Sequence, residues 1–262
     1  MLEYWQDMTT RDFQSVDAAR DIALMPVAAI EQHGPHLPVS VDADINAGVV
    51  AAAARHLADG VRVVALPMLA IGKSNEHMAF PGTLTVGAET LLRYWIDIAE
   101  SVLRAGFRKI VVLNSHGGQP QLVEILVREL RVRHGALAVS ASTYGFGVPE
   151  GLFSEDELHH GIHAGAVESS MMLHLRPDQV KRELMADFPS TGPAIARDYD
   201  ELRLEGAVGM GWMTQDINPD GAIGNASLAN ADHGAQCLDH AGRGLARLLA
   251  DVSRYPLPES RA

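Results

Sequence analysis

Residues 21–48, "DIALMPVAAIEQHGPHLPVSVDADINAG", change character part-way along. Residues 21–30 form a nearly continuous apolar run of strand length, the pattern of a strand buried on both faces in a parallel sheet. Directly behind it stand Glu31, His33, His36, Asp42 and Asp44, all side chains of the kind that ligate metals. Then "DINAGVVAAAARHLADG" reads as a helix from Asp42 to His56, with Asp at its start and Gly60 past its end. A buried strand, a polar turn and a helix make one unit of an α/β fold.

The same unit recurs downstream. "VRVVALPMLAIG" (61–72) reads as a second buried strand, "KSNEHMAFPGTLTVG" (73–87) as a loop, and "AETLLRYWIDIAESVLRAG" (88–106) as a long amphipathic helix ending at Gly106. "KIVVLNSHGGQPQLVEILVRELRVRHG" (109–135) repeats the pattern with a short apolar strand, a polar Gly-containing turn and a helix from about Gln119, and a strand over 136–145 follows. A short helix from about Thr10 precedes the opening strand, residues 145–161 read as loop, 162–175 as helix, 186–230 as irregular, and 231–254 as a closing helix. Alternating strands and helices with short connections imply a parallel sheet covered by helices, with ligands at the carboxyl ends of the strands. With 262 residues, 47% of them hydrophobic, the chain is expected to form one large domain.

The charged residues narrow the function classes. Twenty-one Lys and Arg stand against 33 Asp and Glu, a formal charge of −12, which disfavours nucleic acid and anionic membrane surfaces as partners. A small molecule or another copy of the chain is the expected partner. The single cysteine, Cys237, excludes an intrachain disulfide and fits a reducing compartment. No apolar run is long enough to span a bilayer and no secretory leader is evident, so a cytoplasmic location is expected.

In an extended segment, Glu31 and His33 are two apart and project to one side, and Asp42 can return to them if the "GPHLPVSV" loop folds back. Helix N-cap for Asp42 and turn residue for His33 are the structural alternatives. His116 in "VVLNSHGGQ" lies just beyond a strand, beside two glycines that permit close backbone approach. Glu168 shares a helix face with Ala164, Met171 and Met172, so it should be buried and should meet a cation or a strong donor, whether metal or arginine. A His and carboxylate donor set without sulfur suits zinc, manganese or iron, and an aspartate shared by two ions gives a two-metal hydrolase, in which bound water becomes acidic and a carbonyl is polarised. Glu76 and His77 read as a solvated loop pair, and His36 and Asp44 as loop and helix-start residues.

Taken together, "EQHGPHLPVSVD", "EHMAFPGTLT", "LNSHGGQ", "HAGAVESS" and "GAIGNASLANADHG" resemble the creatininase family of metal-dependent amidohydrolases, in order and spacing, over most of residues 20–245. The resemblance implies a three-layer α/β/α sandwich with a mainly parallel central sheet, two divalent ions (zinc first, with manganese or iron as alternatives) and a homo-oligomer, often a hexamer. It also implies that Glu31, Asp42 and His116 hold one ion, and that His33, Asp42 and a further glutamate hold the other. Creatininase itself is expected to carry that glutamate two residues after its counterpart of His116, where this chain has Gly118, as do relatives with an "HGG" turn; Glu168 is then the candidate. His163 matches the family's catalytic histidine, which passes a proton to the leaving nitrogen, and Ser74 falls where the family contacts substrate. The activity implied is hydrolysis of a C–N bond in a small amide or cyclic amide. Formamide cleavage on a nucleotide precursor, peptide cleavage in cofactor maturation, and a non-catalytic metal-containing binding protein are the alternatives.

Overall fold

The computed structural model describes residues 1–257. Five strands, β1 (Leu2–Tyr4), β2 (Ile22–Val27), β3 (Val63–Ala65), β4 (Lys109–Asn114) and β5 (Leu137–Ser142), form one sheet in the order β1-β3-β2-β4-β5, and every pairing is parallel. The helices are α1 (Val41–Ala54), α2 (Ala88–Arg104), α3 (Pro120–His134), α4 (Glu155–His160), α5 (Ala166–Leu175), α6 (Gly192–Asp198), α7 (Thr214–Ile217) and α8 (Ala231–Arg254). A two-stranded antiparallel pair, β6 (Asp187–Phe188) and β7 (Gly224–Asn225), lies outside the main sheet.

Because side chains alternate along a strand, each buried strand feeds two cores. Ile22, Leu24, Val111 and Leu113 point into one, shared with α1, α5 and α8; Ala23, Met25, Ile110 and Val112 point into the other, shared with α2 and α3. This is the α/β/α sandwich. Fully burying each Ile, Leu or Val is worth roughly 1.5–3 kcal/mol, so continuous apolar strands are what a two-sided core selects. On the first side α5 and α8 meet at backbone contact: a Cβ on Gly234 would come 1.9 Å from the Ser170 carbonyl oxygen.

The chain leaves β2 toward β3 with α1 on one face, then returns past β2 to β4 with α2 on the other. The direction of winding therefore reverses between β2 and β4, and the crevice beyond their carboxyl ends is where such sheets bind ligands. Glu31 and His116 follow these two strands.

Several local expectations need correction. The segment after Thr10 is only a 3₁₀ turn, Asp12–Ser15, with the Thr9 amide and hydroxyl donating to Asp12. Of residues 61–72 only Val63–Ala65 are strand, and α1 ends at Ala54, two residues before the expected end at His56. Leu2–Tyr4 is an unexpected edge strand. The segment read as loop contains α4, whose cap Ser154 accepts the Glu157 amide at 3.2 Å. "SEDE" at 154–157 is the local capping pattern that announces it.

Candidate metal centre

The loop after β2 folds back on itself: the Glu31 amide donates to the Val39 carbonyl at 3.0 Å, and His33 bridges Leu37. That return brings the first turn of α1 beside the strand end, and Asp42 makes no helix cap; the cap position is Ser40. Instead Asp42 divides its two oxygens. Oδ1 lies 3.6 Å from His33 Nε2, and Oδ2 lies 3.4 Å from His116 Nδ1. Glu31, Asp42 and His116 form one group with metal-ligating spacing and His33, Asp42 and Glu168 another, with candidate atoms within 4.8 Å in each, and Asp42 belongs to both.

Outer hydrogen bonds decide which ring nitrogen faces the centre. His33 Nδ1 donates to the Glu31 carbonyl at 3.1 Å, leaving Nε2 turned inward. His116 Nε2 donates to the Lys73 carbonyl at 2.9 Å and lies 3.2 Å from Glu76 Oε1, leaving Nδ1 inward, 3.2 Å from Glu31 Oε2. His163 Nε2 donates to the Gln32 carbonyl at 2.8 Å, so Nδ1 faces Glu31 Oε1 at 3.9 Å. His33 Nε2 and Asp42 Oδ2 are buried without a hydrogen-bond partner, which is costly in a finished protein core unless a cation completes the coordination. The donor set therefore fits hard or borderline divalent ions.

Glu168 enters from the first turn of α5, buried as its helical position requires. Its Oε1 accepts the Tyr144 hydroxyl at 2.6 Å and its Oε2 accepts the Ala164 amide at 2.5 Å, 3.8 Å from His33 Nε2. Ala164 has φ +56°, a left-handed conformation that costs a non-glycine residue of order 1–3 kcal/mol. That strain sits between His163 and Glu168. The hydrogen bond that the Ala164 amide donates to Glu168 and the paired hydrogen bonds of His163 with Ile223 hold it.

Burial opposes charge on His33, but Asp42, Glu168 and Glu31 outweigh it and raise the pKa to about 9. Burial likewise opposes charge on His116, and Glu31, Asp42 and Glu76 outweigh it, holding the ring well above its ordinary value. Asp42 is held low: burial disfavours its charge, and the two histidines more than offset that. A metal binds only neutral imidazole, so protons and metal compete for both rings. Zinc binding near neutral pH is expected to release protons from His33 and His116, and zinc affinity is expected to rise with pH up to about 9. Calorimetric titration in buffers of different ionisation heat measures this; an affinity flat between about pH 6 and 8 would contradict it.

The "NEH" segment differs from its expected place as a solvated loop pair. His77 is buried, 3.5 Å from Glu31 Oε1, and Glu76 is largely buried against His116, so neither is a solvated loop residue. Gly118 explains part of this, because a Cβ there would fall 1.7 Å from Glu76 Oε1. Glu76 occupies the space that a side chain after "HG" would fill. His36 is also buried, stacked on Phe188 and 2.8 Å from the Ser169 hydroxyl, whereas Asp44 does sit at the helix start, bonded to Ser40 and Arg176. Ser74 is fully buried and donates to Glu31 Oε2. Tyr144 and Trp212, which carry no ligand or motif signal in the sequence, both line the cavity of about 1200 Å³ that opens over Glu31, His116 and His163.

The creatininase family model, described as creatinine amidohydrolase, matches residues 6–249. The chain belongs to the creatininase family. A mycofactocin precursor peptide peptidase of Mycolicibacterium smegmatis is 31% identical over 216 residues, covering 81% of this chain and 78% of its own. Creatinine amidohydrolase of Pseudomonas putida is 28% identical over 269 residues, covering 96% of each. A solved Bacteroides fragilis protein assigned as a creatinine amidohydrolase shares the fold with a TM-score of 0.79 at 24% identity, covering 98% of both chains. A solved manganese creatininase also shares it, with a TM-score of 0.77 at 23% identity over 97% of this chain and 100% of that one. This chain is accordingly a creatininase-family amidohydrolase, and among its described residues no helix is long and apolar enough to cross a membrane.

Proposed function

We propose that this amidohydrolase is metal-dependent and cleaves a C–N bond in a small amide or cyclic amide. The observation that carries this reading is the division of the Asp42 carboxylate between two ligating groups, the arrangement a two-ion hydrolase needs. Two divalent ions held by Glu31, Asp42 and His116 and by His33, Asp42 and Glu168 would supply an acidic water and polarise the scissile carbonyl.

The protein's own groups carry the rest. Tyr144 and the Ala164 amide fix the Glu168 carboxylate, and backbone carbonyls fix the rings of His33 and His116. Their orientation needs no rearrangement during reaction, which is where preorganised sites gain rate. His163, anchored through Nε2, turns a proton acceptor toward the centre; it is suited to take a proton from the attacking water and deliver it to the leaving nitrogen.

A second reading, cleavage of a short peptide, is favoured by the cavity. Its volume of about 1200 Å³ exceeds what a small cyclic amide requires, and Leu158, Ile162, Leu204, Met210 and Trp212 give it an apolar wall. The similarity to the Mycolicibacterium peptidase agrees with this.

The test has two parts. Metal analysis of protein purified without chelator should find about two transition ions per subunit, fewer in Glu168→Gln. Less than one ion in the unmodified protein would overturn metal dependence. A panel of creatinine, formamides, cyclic amides and short peptides, assayed with added zinc or manganese, then separates the two substrate classes; silence throughout would count against both.

A further inference from the structure

Four histidines surround the Glu31 carboxylate, and their outer hydrogen bonds divide them into two kinds. His33, His116 and His163 each spend one ring N–H on a backbone carbonyl and turn the other nitrogen inward. His77 differs. Its Nδ1 lies 2.7 Å from Gln32 Nε2 and 2.8 Å from the Thr214 hydroxyl.

The Gln32 amide has only one workable orientation. Its Oε1 accepts the Gly34 amide at 2.9 Å and its Nε2 donates to the Gly221 carbonyl at 2.8 Å; turning the group over would set donor against donor and acceptor against acceptor. The second amide hydrogen therefore faces His77 Nδ1, which must accept it. A neutral imidazole has one N–H, so that hydrogen sits on Nε2. Nε2 points at Glu31 Oε1, 3.5 Å away, and His77 lines the same cavity as His116 and His163.

A nitrogen that carries hydrogen cannot ligate a metal. Glu31, Glu76 and His77 have ligating spacing, but the Gln32 amide makes His77 a donor and argues against a further ion there. What the centre gains is a fixed N–H beside the bare nitrogen of His163, whose ring packs against His77 with centroids 4.3 Å apart.

We propose that His77 is a catalytic residue of the hydrolysis, its Nε2–H donating to the substrate carbonyl oxygen as negative charge builds there. This rests on the amide-hydrolase reading above. As the water oxygen bonds to the carbonyl carbon, the π pair moves onto the carbonyl oxygen and meets the His77 N–H, while His163 takes the water's proton. On collapse the C–N bond breaks, its electron pair leaves on nitrogen, and the proton on His163 passes to that nitrogen. His77 neither gains nor loses a proton. Its part is electrostatic, and the Gln32 amide holds it in the tautomer that performs it.

The test uses the full chain loaded with zinc. Long-range proton–nitrogen correlation spectra of protein labelled with nitrogen-15 in its histidines read each ring's tautomer, with His77 assigned by the signals lost in His77→Leu. An Nε2–H ring with an unprotonated Nδ1 is the expected result; an Nδ1–H ring or an imidazolium at neutral pH overturns the proposal. On a panel amide that the wild type cleaves, His77→Leu should lower kcat by about 10²–10³-fold, the loss typical of one oxyanion donor. KM should stay within about 3-fold and zinc content should match the wild type, while His77→Gln, which keeps an N–H, should recover kcat by about 10-fold over His77→Leu. Lost zinc, or a raised KM with kcat intact, would make His77 a support for Glu31 or a ground-state contact and overturns the catalytic role. Silence of the wild type across the panel overturns the hydrolase reading itself, whereas a turning-over wild type with an equally active His77→Leu overturns this role alone.

Discussion

Asp42→Asn is expected to cost this protein its metal and its activity together. A carboxylate presents two equivalent acceptors, and Asp42 directs one toward His33 and the other, lacking any hydrogen-bond partner, toward His116. Asparagine keeps one acceptor and replaces the other with an NH₂ donor, which would aim positive hydrogens into one of the two groups. That group is left with two ligands and a repelling amide. The backbone is not disturbed, since the Ser115 hydroxyl bonds the Asp42 carbonyl rather than its side chain. On the two-ion proposal, metal content after desalting should fall by at least one ion per subunit, and kcat by more than about 10³-fold, roughly 4 kcal/mol of barrier. Retention of both ions at full kcat would mean that Asp42 does not bridge.

Lys109→Met is expected to give the largest loss of stability and to leave the metal centre intact. Lys109 opens β4 at the end of the sheet away from the centre, fully buried, and its ammonium donates to the carbonyls of Val252, Ser253 and Tyr255 at 2.7–2.8 Å. These carbonyls belong to the last turn of α8 and the residue that caps it, where backbone acceptors have no helical partner and the helix dipole is negative. Methionine fills similar volume but satisfies none of them. Charge-assisted hydrogen bonds contribute about 1.5–3 kcal/mol each and are not additive, so a total near 3 kcal/mol is a conservative figure. For a chain of this size that lowers Tm by roughly 6–12 °C. Thermal unfolding with metal content measured in parallel checks both halves; a Tm within about 2 °C of wild type would mean that water replaces the ammonium.

Much of the layered fold is legible because two-sided burial leaves a continuous apolar run, as in β2 and β4, and because α2 and α3 end on glycines at Gly106 and Gly135 with positive φ. The three-residue strand β1 carries no such pattern: its residues are half-buried or exposed, and among the described residues it pairs with β3 alone. The candidate centre divides in the same way. Glu168 stands out from local information, a carboxylate on an apolar helix face, and Glu31 and His33 stand out as ligand types two apart behind a strand. His77 and Tyr144 have no local anomaly. The partners that give them meaning lie far along the chain, Gln32 and Thr214 for one and Glu168 for the other.

Periodicity and residue chemistry are local properties, so the alternation of strands with helices and the gathering of ligand-type side chains where strands end can be read along the chain. How those side chains are shared and aimed is fixed by contacts between distant segments. Asp42 is divided between two groups because a loop turns α1 back over β2; the Glu31 carbonyl two residues away orients His33, but the inward nitrogens of His116, His163 and His77 are set by a backbone carbonyl or amide that another segment supplies. A ring's tautomer depends on what lies within about 3 Å of it in space, and no spacing along the chain encodes that.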